Sequence, residues 1–210
     1  MRCTTDHYDA LYARWLPGAG RLLDEAAYLP GMKVMDLCGG TGAVSRECLR
    51  RGADPSTIHL LDLNPRCDAV GITSHTGDAN HLERILSTNH FGTFDLIVCR
   101  QAAAYLDWDP LMIGWLKELL KPGGRLVFNM FTEPRWALKT YKYEGKRFFE
   151  ASAYLGRTIW HVQAGLGVGY DVTRFQWHNP MVLKRRLGFH FDRLSIKARG
   201  RSQTWTCIRG

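Results

Sequence analysis

The chain has 210 residues, 45% of them hydrophobic and 23% charged, the make-up of one ordinary globular domain long enough to bury a sizeable core. It carries a formal net charge of +8, and residues 131–210 hold 15 Lys/Arg against 5 Asp/Glu, so the excess positive charge belongs to the last third. No run reaches the roughly 18 apolar residues of a membrane span, and Met1 to Tyr8 offer no apolar stretch for a secretory signal.

In chain order, Leu11, Trp15, Leu22, Leu23, Ala26 and Leu29 recur near helical spacing, which predicts one or two helices over 6–29, broken at Pro17-Gly18. Val34, Met35 and Leu37 then read as the end of a buried strand, and Gly39, Gly40 and Gly42 as a tight turn. Ala43, Val44, Cys48 and Leu49 continue at helical spacing. A strand, a glycine turn and a helix N-terminus form a site for a small polar ligand, because bare backbone can approach it and the helix presents N–H groups. Asp36 sits inside the strand just before the glycines. A carboxylate there would repel a pyrophosphate, so its natural partner is a cation.

A second apolar strand, Thr57 to Asp62, also ends in an acid. Asp62 lies 20 residues beyond Gly42, the offset at which nucleotide-binding α/β folds place the carboxylate that accepts ribose hydroxyls. A third strand is expected over Ala69 to His75. It leads into Thr76-Gly77-Asp78-Ala79-Asn80, where Asp78 can accept from a ligand amino group or cap the helix suggested by His81, Leu82, Ile85 and Leu86. Phe94 to Cys99 is a fourth strand, apolar after Asp95 as a central parallel strand should be. Asp109-Pro110 opens a helix through Leu119, and Lys121-Pro122-Gly123-Gly124 ends it and turns into a fifth strand, Arg125 to Met130.

Over 132–179 the texture changes. Lys142 to Phe149 reads as a hairpin turning at Gly145, and strands are expected over Thr158–Ala164 and Tyr170–His178, separated by glycines. The insertion is rich in large aromatics interleaved with cations, which suits a lid over an apolar or aromatic substrate and would equally suit stacked bases. Asn179-Pro180 caps a helix ending near Gly188, and Phe189–Ile196 with Gln203–Ile208 form a closing antiparallel pair at the sheet's edge.

Asp36-Leu37-Cys38-Gly39-Gly40-Thr41-Gly42, the strand-end acids Asp62 and Asp78, and Leu120-Lys121-Pro122-Gly123-Gly124 before an apolar strand together resemble class I S-adenosylmethionine-dependent methyltransferases. The resemblance covers residues 8–130 closely and the C-terminal strand pair more loosely. It departs at Cys38, where the family often has glycine; cysteine is small enough for the turn. It implies an α/β fold: a Rossmann-like seven-stranded, mostly parallel sheet with helices on both faces, an antiparallel C-terminal strand pair and a β-rich insertion after the fifth strand. One domain is expected, with a helical cap over 1–30, a cofactor-binding core over 31–131, a substrate lid over 132–179 and a closing helix and edge strands over 180–210.

The resemblance also implies S-adenosyl-L-methionine as cofactor and S-adenosyl-L-homocysteine as product. It assigns the cofactor to Tyr8, Tyr12, Asp36, Cys38, Gly39, Gly40, Gly42, Asp62, Leu63, Asp78, Ala79, Arg100 and Gln101. The residues after the fourth strand line the place where methyl donor and acceptor meet, which adds Tyr105 to the substrate side, with Arg147, Phe149, Trp160, Arg174 and Trp177 from the insertion. A sulfonium is intrinsically electrophilic, so the protein mainly supplies alignment and desolvation. A neutral hydroxyl or protonated amine would also need a base, for which His178 and His161 are the candidates, followed by Glu150 and Asp171. A carboxylate substrate needs none, and Arg100, Arg147 or Arg174 could hold it.

The expected function is methylation, at oxygen or nitrogen, of a small aromatic or anionic molecule. The alternatives are an RNA or protein methyltransferase drawing on the basic C-terminal third, and a non-catalytic S-adenosylmethionine-binding protein. A dinucleotide reductase would use Gly40 and Gly42 but meets Ser45 and leaves Asp36 unexplained. Six cysteines scattered without Cys-x-x-Cys spacing argue against a zinc site and a disulfide framework; no metal is expected, and a reducing cytoplasm is.

Overall fold

The computed structural model describes the backbone of residues 18–131, 137–143, 146–155, 158–165, 169–176, 178–199 and 202–210, and the side chains of 18–130, 178–198 and 202–210. The chain divides into two units, 18–132 with 179–210, and 1–17 with 133–178.

The larger unit is built on a seven-stranded sheet. Its strands are β1 (Val34–Leu37), β2 (Ile58–Asp62), β3 (Thr73–Thr76), β4 (Phe94–Cys99) and β5 (Leu120–Phe131), then β10 (Arg193–Arg199) and β11 (Ser202–Ile208) after the second unit's four. They lie in the order β10-β11-β5-β4-β1-β2-β3. β1 to β5 run parallel, and β11 pairs antiparallel with both β5 and β10. The four described helices are α1 (Gly18–Glu25), α2 (Ala43–Arg50), α3 (Pro110–Leu119) and α4 (Pro180–His190).

Strand alternation splits the core in two. Val34, Ile58, Leu96, Val98 and Val127 face Leu22 and Leu23 of α1 and Val44 and Cys48 of α2. Met35, Leu37, Ile97, Leu126 and Phe128 face Met112, Ile113 and Leu116 of α3 and Leu183 and Leu187 of α4. The helices therefore cover both faces of the sheet, as a parallel sheet buried on both sides requires. Phe128 anchors the second layer between Trp108 and Trp205, with ring centroids 4.5 and 5.7 Å away.

Several boundaries differ from expectation. β5 runs Leu120–Phe131 rather than Arg125 to Met130, so Lys121 to Gly124 lie within the strand instead of forming the turn before it. The third strand is Thr73–Thr76 and mostly exposed, not Ala69–His75. The segment after Asp78 forms 3-10 turns over Ala79–Arg84, broken where His81 leaves helical geometry, not a regular helix. α4 continues through Gly188 to His190, because buried Leu187 and Phe191 hold its last turn, so the closing strand begins at Arg193 rather than Phe189.

The second unit holds a four-stranded antiparallel sheet in sequence order: β6 (Ala137–Tyr143), β7 (Lys146–Leu155), β8 (Thr158–Gly165) and β9 (Gly169–Gln176). The β-rich character expected of the insertion is present, and β6 and β7 pair antiparallel in the register Tyr143↔Lys146; the turn expected at Gly145 lies outside the described residues. Among the described residues, no helix is long and apolar enough to cross a membrane.

Candidate active site

The strand order reverses direction at β1, which has β2 on one side and β4 on the other. At such a switch point the loops leaving the carboxyl ends of adjacent parallel strands diverge and open a crevice. The loops after β1, β2, β3 and β4 bring Asp36, Cys38 to Gly42, Asp62, Leu63, Asp78, Ala79, Arg100 and Gln101 to this one edge.

Asp36 shares the strand face of Val34, which looks onto α2. Its buried carboxylate Oδ2 accepts from Ser45 N at 3.0 Å and Ser45 Oγ at 2.9 Å. The N-cap residue of α2 is Gly42, at φ 76°, which has no side chain to cap with, so Asp36 supplies the cap from the neighbouring strand. Burial pushes the Asp36 carboxyl up to about 6, against the pull of Ser45's two hydrogen bonds and the positive charge of Arg100, while the nearby Asp62 adds to the rise. The cation expected opposite Asp36 is thus supplied in part by the chain itself, from the loop after β4.

The glycine turn is fastened to β2 by Asp62. Oδ2 accepts from Gly40 N and Oδ1 from Asn64 N, both at 2.9 Å. Gly39 N donates to Leu61 O at 3.2 Å, and Arg66 N to Gly40 O at 2.9 Å. Asp62 therefore sets the shape of the turn as well as presenting a carboxylate at its rim, with lone pairs beyond the two already engaged. Cys38 adopts φ 55°, a left-handed conformation costing a residue with a Cβ about 1–2 kcal/mol. Size is not what this position tests; backbone hand is. The Cys38 thiol is held well above the ordinary range, first by its hydrogen bond with Cys99 and then by burial, so it stays protonated.

Asp78 caps the 3-10 turn through Oδ1, which accepts from Asn80 N at 2.9 Å, so the capping alternative is realised by one of its two oxygens. Ala79 beside it is buried. Asn80 joins this loop to the one after β4: its Nδ2 donates to Tyr105 O at 3.1 Å, and its Oδ1 accepts from Asp107 N at 2.8 Å. Gln101, also left-handed at φ 59°, is held by Asn129 of β5, whose Oδ1 accepts from Gln101 N at 2.7 Å. Tyr105 and Leu63 are exposed at the rim.

Ser45, Asn80, Asn129 and Cys99 hold the candidate site together and are residues that sequence reasoning missed. Asn129 left a readable signal, a lone amide in the apolar run Leu126 to Met130; Ser45 left none. Tyr8, Tyr12 and Trp177 lie outside the described residues. Arg147, Phe149, Trp160, His161 and Arg174 are placed by backbone alone, on β7, β8 and β9, and His178 is half-buried past the end of β9.

The chain matches, over residues 8–191, the family model described as "Methyltransferase domain". It is 28% identical over 132 residues to the ubiquinone/menaquinone biosynthesis C-methyltransferase UbiE of Shewanella frigidimarina, an overlap of 58% of this chain and 51% of that protein. The chain thus spans about half the length of the curated relatives it matches. Among solved structures, the CcbJ methyltransferase of Streptomyces caelestis superposes with a TM-score of 0.70 at 16% identity, covering 98% of this chain and 96% of that one. CalS10, an amino pentose methyltransferase from Micromonospora echinaspora solved with SAM bound, gives 0.70 at 18% identity, with 100% and 99% covered. At those identities the likeness to solved structures shows the fold.

Proposed function

The chain belongs to the methyltransferase domain family and is an S-adenosylmethionine-dependent enzyme of that kind, and from this premise we propose that it methylates a small aromatic or anionic acceptor at oxygen or nitrogen. The observation that carries the acceptor class is the register of the β6–β9 sheet. Directly paired residues of an antiparallel sheet share a face, and so do residues two apart on one strand. Phe149 pairs with Ala164, Ala153 with Trp160, and Trp160 with Arg174, which puts Arg147, Phe149, Trp160 and Arg174 on one face. Glu150 pairs with Gln163, Gln163 with Asp171, and Ser152 with His161, which puts Glu150, His161 and Asp171 on the other.

The candidate bases and the candidate anion holders of this sheet are therefore on opposite sides. The face that carries Arg147, Arg174, Phe149 and Trp160, with Lys142 and Tyr170 in register beside them, suits a flat anion such as a carboxylate or phenolate, which is its own nucleophile and needs no base. His178 is the remaining candidate base for a hydroxyl acceptor. UbiE acts in ubiquinone and menaquinone biosynthesis and CalS10 is an amino pentose methyltransferase; both names concern small molecules, which supports the small-acceptor reading. The free cysteines suit a reducing compartment such as the cytoplasm.

The test is a screen of aromatic carboxylates, phenols and amino sugars with a labelled methyl donor, then Arg147→Ala and Arg174→Ala on the acceptor found. Each is expected to raise KM for the acceptor roughly tenfold or more while leaving donor affinity unchanged, since a charge-assisted pair contributes about 1.5–3 kcal/mol. Label transferred only to RNA or protein would contradict the reading.

Donor affinity should also follow pH. A carboxyl raised to about 6 in the folded protein favours its neutral form, so the stability that form contributes is present below about 3.8 and lost as pH rises through 6. A sulfonium or ammonium nearby favours the ionised form instead. Binding of S-adenosylmethionine is therefore expected to tighten as pH rises through 6, with proton release, and to level off above about 7. Calorimetry in two buffers of different ionisation enthalpy measures both. A flat profile between about pH 5 and 7.5 would remove Asp36 from the electrostatics of the donor site.

A further inference from the structure

His59 on β2, His75 on β3 and His90 in the 3-10 turn Thr88–His90 are separated by 16 and 15 residues in sequence, yet the parallel register and the following loop bring them together. One ring nitrogen from each lies within 4.8 Å of the other two. His59 Nδ1 and His75 Nε2 are 3.0 Å apart, close to the roughly 3.3 Å between two nitrogens that share a tetrahedral zinc at about 2.05 Å. The His59 and His75 rings are nearly parallel, 13° apart, and His90 stands edge-on to both at 85°. His90 Nδ1 lies 3.3 Å from Ser87 O and 3.4 Å from Ser87 Oγ, an outer partner that fixes the ring and assigns Nε2 to any ligand bond.

We propose that His59, His75 and His90 form a three-nitrogen site for a divalent transition metal of the zinc type, which pins the short edge strand β3 to β2. Such ions take neutral imidazole ligands, and three of them leave a fourth position for water. The site is separate from Asp36 and the glycine turn, but it brackets the donor loop: Asp78 lies between His75 and His90. β3 is four residues long, mostly exposed and at the sheet's edge, and so is the strand with most to gain from a cross-link.

Burial lowers the His59 imidazole to about 4 and lowers His75 also, with the positive charge of Lys33 acting on both, so these two rings are neutral and ready to ligate at pH 7. Where one ring nitrogen now donates to the other, that proton moves to the far nitrogen of its own ring when the ion enters, and a neutral pair loses none. Lys33, whose Nζ is 5.4 Å from the centroid of the Phe94 ring that packs edge-on against His59, is the charge that opposes the ion.

The probe is zinc chloride alone, titrated calorimetrically into the full chain and into His75→Gln, His90→Gln and the double variant, both residues being half-buried. One equivalent is expected for the native chain, with the melting temperature raised by roughly 5–10 °C at about hundredfold excess over Kd. Affinity should fall at least about tenfold in each single variant, with the far-ultraviolet circular dichroism unchanged. Lys33→Gln should bind more tightly than the native chain. Zinc binding at native strength in the double variant would overturn the proposal. Should the variants not fold, cobalt(II) bound to the native chain decides: a nitrogen-only ligand shell supports the site, and a thiolate charge-transfer band, reporting capture by cysteines, overturns it.

Discussion

Asp62→Ala is expected to weaken S-adenosylmethionine binding by about a hundredfold or more, from two losses that act together. The carboxylate is the acceptor offered to the ribose hydroxyls, and each hydrogen bond to a charged group contributes about 1.5–3 kcal/mol. It is also the clasp between the glycine turn and the loop after β2, through Gly40 N and Asn64 N at 2.9 Å each. The substitution leaves the apolar body of β2 untouched, with Ile58, Leu60 and Leu61 fully buried, so the protein should remain folded with only a modest drop in melting temperature. Asp62→Asn keeps one carbonyl oxygen for one of the two N–H groups but turns an amide toward the other, so it should fall between native and alanine. Calorimetric titration with circular dichroism as a fold control measures the series, and native affinity in the alanine variant would take Asp62 out of the donor site.

Gly39→Ala should affect both stability and binding. A Cβ there would sit 2.6 Å from Asp36 Cγ and 2.8 and 2.9 Å from its two oxygens, closer than real Cβ atoms approach anything. The carboxylate cannot retreat, because it is buried and holds both the backbone and the hydroxyl of Ser45. Either the turn shifts or the cap on α2 breaks. Overpacking costs about 1–3 kcal/mol and a lost charged hydrogen bond about as much again, so a destabilisation of roughly 2–5 kcal/mol is expected in denaturant titration, with donor binding lost. Gly31→Ala is the matched control, since nothing lies within 4 Å of its added methyl and its stability should stay within about 0.5 kcal/mol of native. Equal stability of the two variants would show that the Asp36–Ser45 lock is not what holds the turn.

The contrast between these two positions marks what the sequence makes legible. Asp36 and Asp62 are readable because each stands at or near the end of a predicted strand, where one acid interrupts an apolar run; Asp78 is readable from its place in Thr76-Gly77-Asp78-Ala79-Asn80. β4 is readable to the residue, since after Asp95 the run Leu96 to Cys99 is apolar on both faces. β3 is not, because Thr73-Ser74-His75-Thr76 has neither apolar alternation nor burial, and only its pairing with β2 makes it a strand. What each acid touches was also hidden. Ser45 lies nine residues from Asp36, and only the return of α2 onto the face of Val34 brings its N–H within 3.0 Å. The departure at Cys38 is legible as a missing glycine, but its consequence, a left-handed residue whose thiol hydrogen-bonds with Cys99, belongs to the structure. The three histidines are hidden in the sequence for the same reason: a spacing of 16 and 15 residues matches no metal motif, and the β2–β3 register and the loop after it are what gather them.

Strand register also bears on catalysis. His161 and the arginines at 147 and 174 would have been grouped as one substrate surface from composition alone. Pairing of β7, β8 and β9 separates them into two faces, so a scheme using both at once is not available to this sheet.

The most direct test of the account is calorimetric titration of the full chain with S-adenosylmethionine, followed by NAD and NADP under the same conditions. The arrangement of Asp36, the glycine turn and Asp62 predicts binding of S-adenosylmethionine with a Kd on the order of micromolar and no heat from either dinucleotide. Binding of a dinucleotide alone would contradict it, because a buried carboxylate beside the turn would then be facing a pyrophosphate.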